Sequence, residues 1–134
     1  MKTKALIFRA LLILLIIVSF VSCKKMKENR IEGTWKYVSY SSSDQNIEKT
    51  WAFSNNGDFI QTTNNTENAT TSADTGIYLI RVSSFKTYLE IFDTDVYTDG
   101  KYRVVKLSGK LLKTIQTSDG SGSEQYIRKD FTKE

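Results

Sequence analysis

The chain of 134 residues contains no histidine and one cysteine, Cys23. Without histidine there is no Ser-His-Asp triad, no Cys-His dyad and no imidazole to ligate a metal. One cysteine makes neither an intramolecular disulfide nor a thiolate cluster for zinc or iron–sulfur. Asp93, Asp95 and Asp99 crowd into one short stretch, as acids do in a calcium loop. The EF-hand pattern needs an acid or Asn at its fifth position and Gly at its sixth, where this chain has Tyr97 and Thr98. These acids therefore read as solvated turn residues. Ser84-Phe85-Lys86 and Ser108-Gly109-Lys110 place Ser near Lys. A Ser–Lys nucleophile needs a buried lysine of depressed pKa, and both stretches read as turns. Glu48, Asp58 and Glu90 are carboxylates whose spacing recommends no paired role. No catalytic residue, metal ligand or cofactor is expected, and no enzyme.

The aromatic residues are the one feature that suggests a site. Residues 31–134 hold two Trp, seven Tyr and five Phe. Tyrosine joins an apolar ring to a polar tip, and Tyr37, Tyr78, Tyr88, Tyr102 and Tyr126 fall in different segments. Several such rings facing one interior would give an apolar cavity with a few orienting hydroxyls. Plain core packing explains the same residues, because aromatics favour strands and fill barrels. The candidate lining is Trp35, Tyr37, Phe53, Phe59, Tyr78, Leu89, Ile91, Tyr102 and Val104.

The elements that must position these residues begin after residue 30. Thr34–Tyr40, Ile47–Ser54, Asp58–Thr63 and Thr75–Val82 read as strands, followed by Thr87–Asp93, Lys101–Leu107, Lys110–Thr117 and Gln125–Phe131. Several alternate with period 2: Ile47, Trp51 and Phe53 share a face, as do Leu89 with Ile91 and Tyr102 with Val104. On Lys110–Thr117 the inward face is open, since Leu111 and Ile115 share a side with Lys113 while Leu112 lies opposite. Asn56-Gly57, Asp99-Gly100 and Ser108-Gly109 each supply a residue that tolerates positive φ between neighbouring strands. Tight hairpins favour an up-and-down order, and closure removes the exposed edges. The expected fold is all-β: a small eight-stranded antiparallel up-and-down barrel, with an open or two-sheet sandwich as the rival. Asn64–Asp74 and Ser118–Glu124 read as polar loops, the former a conjectural cover for the barrel mouth. Such a barrel holds one small ligand or is just filled by side chains.

Residues 1–22 read as an address. Lys2, Lys4 and Arg9 precede or interrupt an apolar segment whose unbroken run, Ala10 to Val21, is 12 residues with Ser19 as its one polar member. A helix of that length rises about 18 Å, short of a hydrocarbon core of about 30 Å. The pattern is that of a cleaved secretory signal. Once it is removed, 16 basic residues face 15 acidic ones, and residues 24–30 hold four of the basic against one acidic. The domain over 31–134 is then slightly acidic, with 12 basic and 14 acidic residues. This argues against a nucleic-acid partner. The basic tether suits anionic headgroups instead.

Two resemblances sharpen these expectations. Phe20-Val21-Ser22-Cys23 followed by Lys24-Lys25 resembles the lipobox of bacterial lipoproteins. It implies lipidation at Cys23, a lipidated Cys and basic tether over 23–30, and anchoring in the bacterial cell envelope. No Asp follows Cys23, so the outer membrane is the expected location. Gly33-Thr34-Trp35 resembles the Gly-x-Trp opening of lipocalins, with Gly33 turning the chain into the first strand and Trp35 plugging one end. Phe53-Ser-Asn-Asn-Gly57-Asp-Phe59, the hairpin Tyr102 to Leu112 and the closing strand Gln125–Phe131 resemble parts of small lipocalin-like lipoproteins. The resemblance implies a membrane-anchored lipocalin-like barrel that binds a small hydrophobic or amphipathic ligand. The alternative is a filled barrel whose loops bind another protein, as an inhibitor, an immunity-type factor or an assembly accessory.

Overall fold

The computed structural model describes residues 7, 9, 11, 24–41 and 45–134. Cys23 and nearly all of the expected signal lie outside the described residues. Residues 24–31 form a short helix, α1, where a tether over 23–30 was expected. Its straight-chain residues favour helix, and Lys24 pairs with Glu28 one turn on, at 3.6 Å. The helix ends by burying Ile31 completely in the barrel base.

Eight strands follow: β1 (Gly33–Tyr37), β2 (Ile47–Phe53), β3 (Asp58–Asn65), β4 (Thr70–Ser83), β5 (Lys86–Phe92), β6 (Gly100–Leu107), β7 (Leu111–Asp119) and β8 (Glu124–Lys133). Each pairs antiparallel with the next, and β8 returns to β1 through Trp35↔Lys133 and Tyr37↔Phe131. The result is the closed, eight-stranded up-and-down barrel expected from the alternation, with the strand number of a lipocalin-like fold. No backbone edge is left for another chain to extend.

Three joints differ from their sequence reading. The Asn64–Asp74 segment is mostly sheet: β3 runs to Asn65 and β4 starts at Thr70, leaving 66–69 as the turn. Its Thr residues are β-branched and pair along a two-stranded ribbon, from Asn65↔Thr70 to Gln61↔Asp74. Likewise 120–123 alone link β7 to β8. Gly57 and Gly100 do take positive φ, but Gly109 does not. The Ser108 hydroxyl makes that turn instead, accepting the amides of Lys110 and Leu111 at 3.4 and 3.1 Å.

The interior is an interlocked set of rings. Trp51 stands at its centre, with ring centroids 4.5 Å from Phe131 and 5.4 Å from both Phe59 and Tyr102. Alternation leaves two faces open on β7, and closure selects Leu112, Thr114 and Gln116 as the buried set. Leu111, Lys113 and Ile115 therefore face outward.

The meander gives the barrel two unlike ends. One end collects α1 and the β2–β3, β4–β5 and β6–β7 turns. Gly33 enters β1 there at φ 114, and a Cβ on it would lie 2.8 Å from Cε of Lys133. Trp35 is fully buried behind it, donating its indole N–H to the Ile31 carbonyl at 2.6 Å. This end is closed. The opposite end, where residues 38–41 and 45–46 and the 66–69, 93–99 and 120–123 linkers lie, is the mouth.

Candidate functional site

A chemical gradient runs along the inward face from base to mouth. On β2 the inward positions read Phe53, Trp51, Lys49; on β3 they read Phe59, Gln61, Thr63. On β7 they are Leu112, Thr114 and Gln116, and on β8 Phe131 and then Lys129. On these strands the inward face is apolar at the base and carries polar or cationic residues above it, with Ile47 returning an apolar side chain at the mouth end of β2. Packing fills the lower barrel. The upper barrel keeps a cavity of about 350 Å³, lined by Tyr37, Trp51, Phe131, Gln61, Asp95 and Lys129, with Ile47, Lys49, Tyr97 and Thr98 completing its wall.

Lys129 dominates the electrostatics. Its Nζ lies 5.5 Å from the centre of the Trp51 ring and 5.2 Å from that of Tyr102, near enough for cation–π attraction. It donates a long hydrogen bond of 3.4 Å to the Tyr102 hydroxyl. It forms no ion pair among the described residues. Burial, reinforced by the charge of Lys49 and opposed by Asp95, brings its pKa down to about 8. An ammonium group held among rings without a carboxylate is costly to keep, and such groups concentrate at binding and catalytic sites.

The 93–99 linker closes part of the mouth and supplies the other polar groups. The Asp95 carboxylate folds this linker by accepting the amides of Tyr97 and Thr98 at 2.8 and 3.0 Å. Burial pushes the Asp95 pKa up, but its hydrogen bonds from Thr98, Tyr97 and Gln61 outweigh that and hold it below the usual carboxylate range. Asp99 accepts the Thr94 amide in the same way. Asp95 and Asp99, two of the three acids that suggested a calcium loop, are therefore spent on shaping the linker. No group of three or more His, Cys, Asp or Glu suited to a metal occurs among the described residues.

Three barrel side chains tie the linker down. Gln61 accepts the Thr98 hydroxyl at 2.9 Å and the Trp51 indole N–H at 3.0 Å. Gln116 donates to the Tyr97 and Asp99 carbonyls at 3.1 and 3.3 Å, and Tyr102 donates to the Thr98 carbonyl. Burial raises the Tyr102 pKa strongly, which keeps this hydroxyl a donor. Gly100, where the linker rejoins the sheet, lies so close to the Ser118 carbonyl that a Cβ would overlap it.

Of the nine candidate lining residues, Tyr37 borders this cavity. Trp35, Phe53, Phe59, Tyr78, Leu89, Ile91 and Tyr102 are buried in the core, and Val104 packs partly buried against it. The cavity's polar members, Lys49, Gln61, Asp95, Thr98 and Lys129, were not among the candidates, nor were Trp51 and Phe131. Lys129 shares a face with Phe131 at period 2, which is the one signal for it in the sequence. No protein-family model, no curated protein and no solved structure matches this chain.

Proposed function

We propose that this protein is a lipocalin-like binding lipoprotein, tethered through a lipidated Cys23 in the bacterial cell envelope, most simply at the outer membrane. Its ligand is a small amphipathic molecule with an apolar or aromatic body and an acidic end. The observation that carries this reading is Lys129, cationic and without an ion pair among the described residues, at the side of a cavity floored by Trp51 and Phe131. The rings would hold the body by burial and dispersion, and an anion would give Lys129 the counter-charge it lacks. Lys49 at the rim adds a second positive charge, while Gln61 and Thr98 offer orienting hydrogen bonds. The role is binding, not catalysis, and no cofactor or nucleic acid belongs to it.

The test is to recover the full chain from its host envelope and weigh it by native mass spectrometry, then titrate the emptied protein with a naphthalene sulfonate. A mass excess released by organic extraction, and probe binding that Lys129→Met weakens at least tenfold, are expected. A bare mass with probe uptake indifferent to Lys129 overturns the reading. That outcome favours a partner protein bound through the loops, for which the exposed rings of Tyr40, Tyr97 and Tyr126 provide contact area.

A further inference from the structure

The tip of the β4–β5 hairpin departs from what a free-standing barrel needs. Ser83 pairs with Lys86, so the loop is the two residues Ser84 and Phe85. Both have positive φ, 49° and 65°. Two-residue hairpins of this hand are normally built from Asn and Gly, because a Cβ is strained there. Here the second position carries a phenylalanine whose ring is fully exposed to solvent. The sequence accepts backbone strain and an unburied ring together, and among the described residues no contact compensates either.

The tip projects from the closed end of the barrel, beside α1. Lys24 and Lys27 of that helix border the same groove as Val82, Phe85 and Lys101. Charge is segregated between the two ends. The closed end carries Lys24, Lys25, Lys27 and Arg30 on α1, Lys86 after the hairpin tip, Lys110 in the β6–β7 turn and Lys133 at the end of β8, against Glu28, Glu32, Asp58 and Glu134. The mouth linkers carry Glu67, Asp93, Asp95 and Asp99, and among the described residues no lysine or arginine. Asp119 and Glu124 flank the last of them, and Lys49 at the cavity rim offsets one of these charges. Because strands alternate direction, every second linker falls at the same end, and the segregation is a property of the fold.

We propose that the closed end is a membrane-docking face, seated on anionic phospholipid with the Phe85 ring inserted at the headgroup level. Aromatic rings favour that interface, and lysines around them gain from a negatively charged surface. Residue 24 lies at this end, so an anchor at Cys23 would hold the barrel in that orientation with its mouth turned away from the lipid. The acidic mouth is disfavoured on the same surface by repulsion. The proposal shares the tether with the proposed function and is independent of any ligand.

The experiment uses the full chain as a bacterial host exports it, reconstituted on vesicles of phosphatidylcholine with about one third phosphatidylglycerol, some carrying brominated acyl chains. Phe85→Trp places a reporter at the hairpin tip, and Ser121→Trp places one at the mouth. Quenching by brominated lipid is expected for Trp at 85 and not at 121. Changing Lys24, Lys27 and Lys86 together to Glu should reduce quenching at 85 roughly tenfold or more, and so should replacing phosphatidylglycerol by phosphatidylcholine. Quenching at 121 instead would mean that the barrel lies mouth-down, and quenching at neither position that it stands off the bilayer; each overturns the proposal. A chain that fails to float with vesicles at all refutes the tether as well, which separates the two failures.

Discussion

Lys129 Nζ stands 5.5 Å from the centre of the Trp51 ring, and the Trp51 indole N–H is bound 3.0 Å away to Gln61 on the neighbouring strand. The ring at the centre of the core is thus also the floor of the cavity. Most of the site is as rigid as the barrel strands that line it, while Asp95, Tyr97 and Thr98 bring one wall from the 93–99 linker.

Burying an ammonium without a carboxylate partner costs stability. Lys129→Met, which keeps the length of the apolar stem, should raise unfolding free energy by ~1–3 kcal/mol at pH 7 while weakening acidic probes. Urea unfolding of the two proteins checks the first half, and unchanged or lower stability in the variant would contradict it.

The same group sets a pH dependence. Below about pH 8 folded and unfolded chains both carry the Lys129 proton, and the full burial cost stands. Between about 8 and the ordinary lysine value of 10.5, the unfolded state binds a proton that the folded state has released, so stability rises with pH. Tyr78 has its pKa raised by burial and by Glu28 and Glu32 to about 12, and this acts in the opposite sense above the ordinary value of 10.0. The clean window is pH 8 to about 9.5. Wild type should gain stability across it relative to Lys129→Met, as read by unfolding at each pH.

Gln116 clasps the mouth linker through its amide nitrogen, while its Oε1 is buried without a hydrogen-bond partner. Gln116→Leu removes two hydrogen bonds and one unsatisfied acceptor together, so global stability should move by no more than ~1 kcal/mol. Backbone amides at 95–99 should exchange with deuterium markedly faster. Unaltered exchange would show that Gln61 and Tyr102 suffice to hold the linker.

Gly33→Ala should cost ~2 kcal/mol, since φ 114 is closed to a residue with a Cβ and the Lys133 side chain occupies the space. Lys133 would also lose its bond to the Glu32 carbonyl, made at 2.5 Å. Thermal unfolding checks this, and a neutral result would mean the α1–β1 joint rearranges freely.

Phe85→Gly should do the reverse. It relieves a strained φ and removes an exposed ring, so the fold should gain ~0.5–1 kcal/mol. A loss of stability would show that Phe85 packs within the protein.

Much of the architecture was determined by local sequence. Alternation in segments such as Thr87–Asp93 and Lys101–Leu107, with turn residues between them, dictated eight strands in meander order, because side chains on a strand repeat every two residues wherever the strand lies. The aromatic interior was legible for the same reason. Two things were settled by tertiary structure alone. The inward face of β7 was ambiguous until β8 closed on it and placed Leu112 opposite Phe131, since alternation defines two faces without saying which meets the core. The cavity was invisible because its polar wall comes from Lys49, Gln61, Asp95, Thr98 and Lys129, residues that read as solvated in isolation. They become a site when barrel closure stacks their strands around one axis and the 93–99 linker folds over them. The segregation of charge was written in the linkers from the start, and it gained meaning once alternate linkers were gathered at opposite ends.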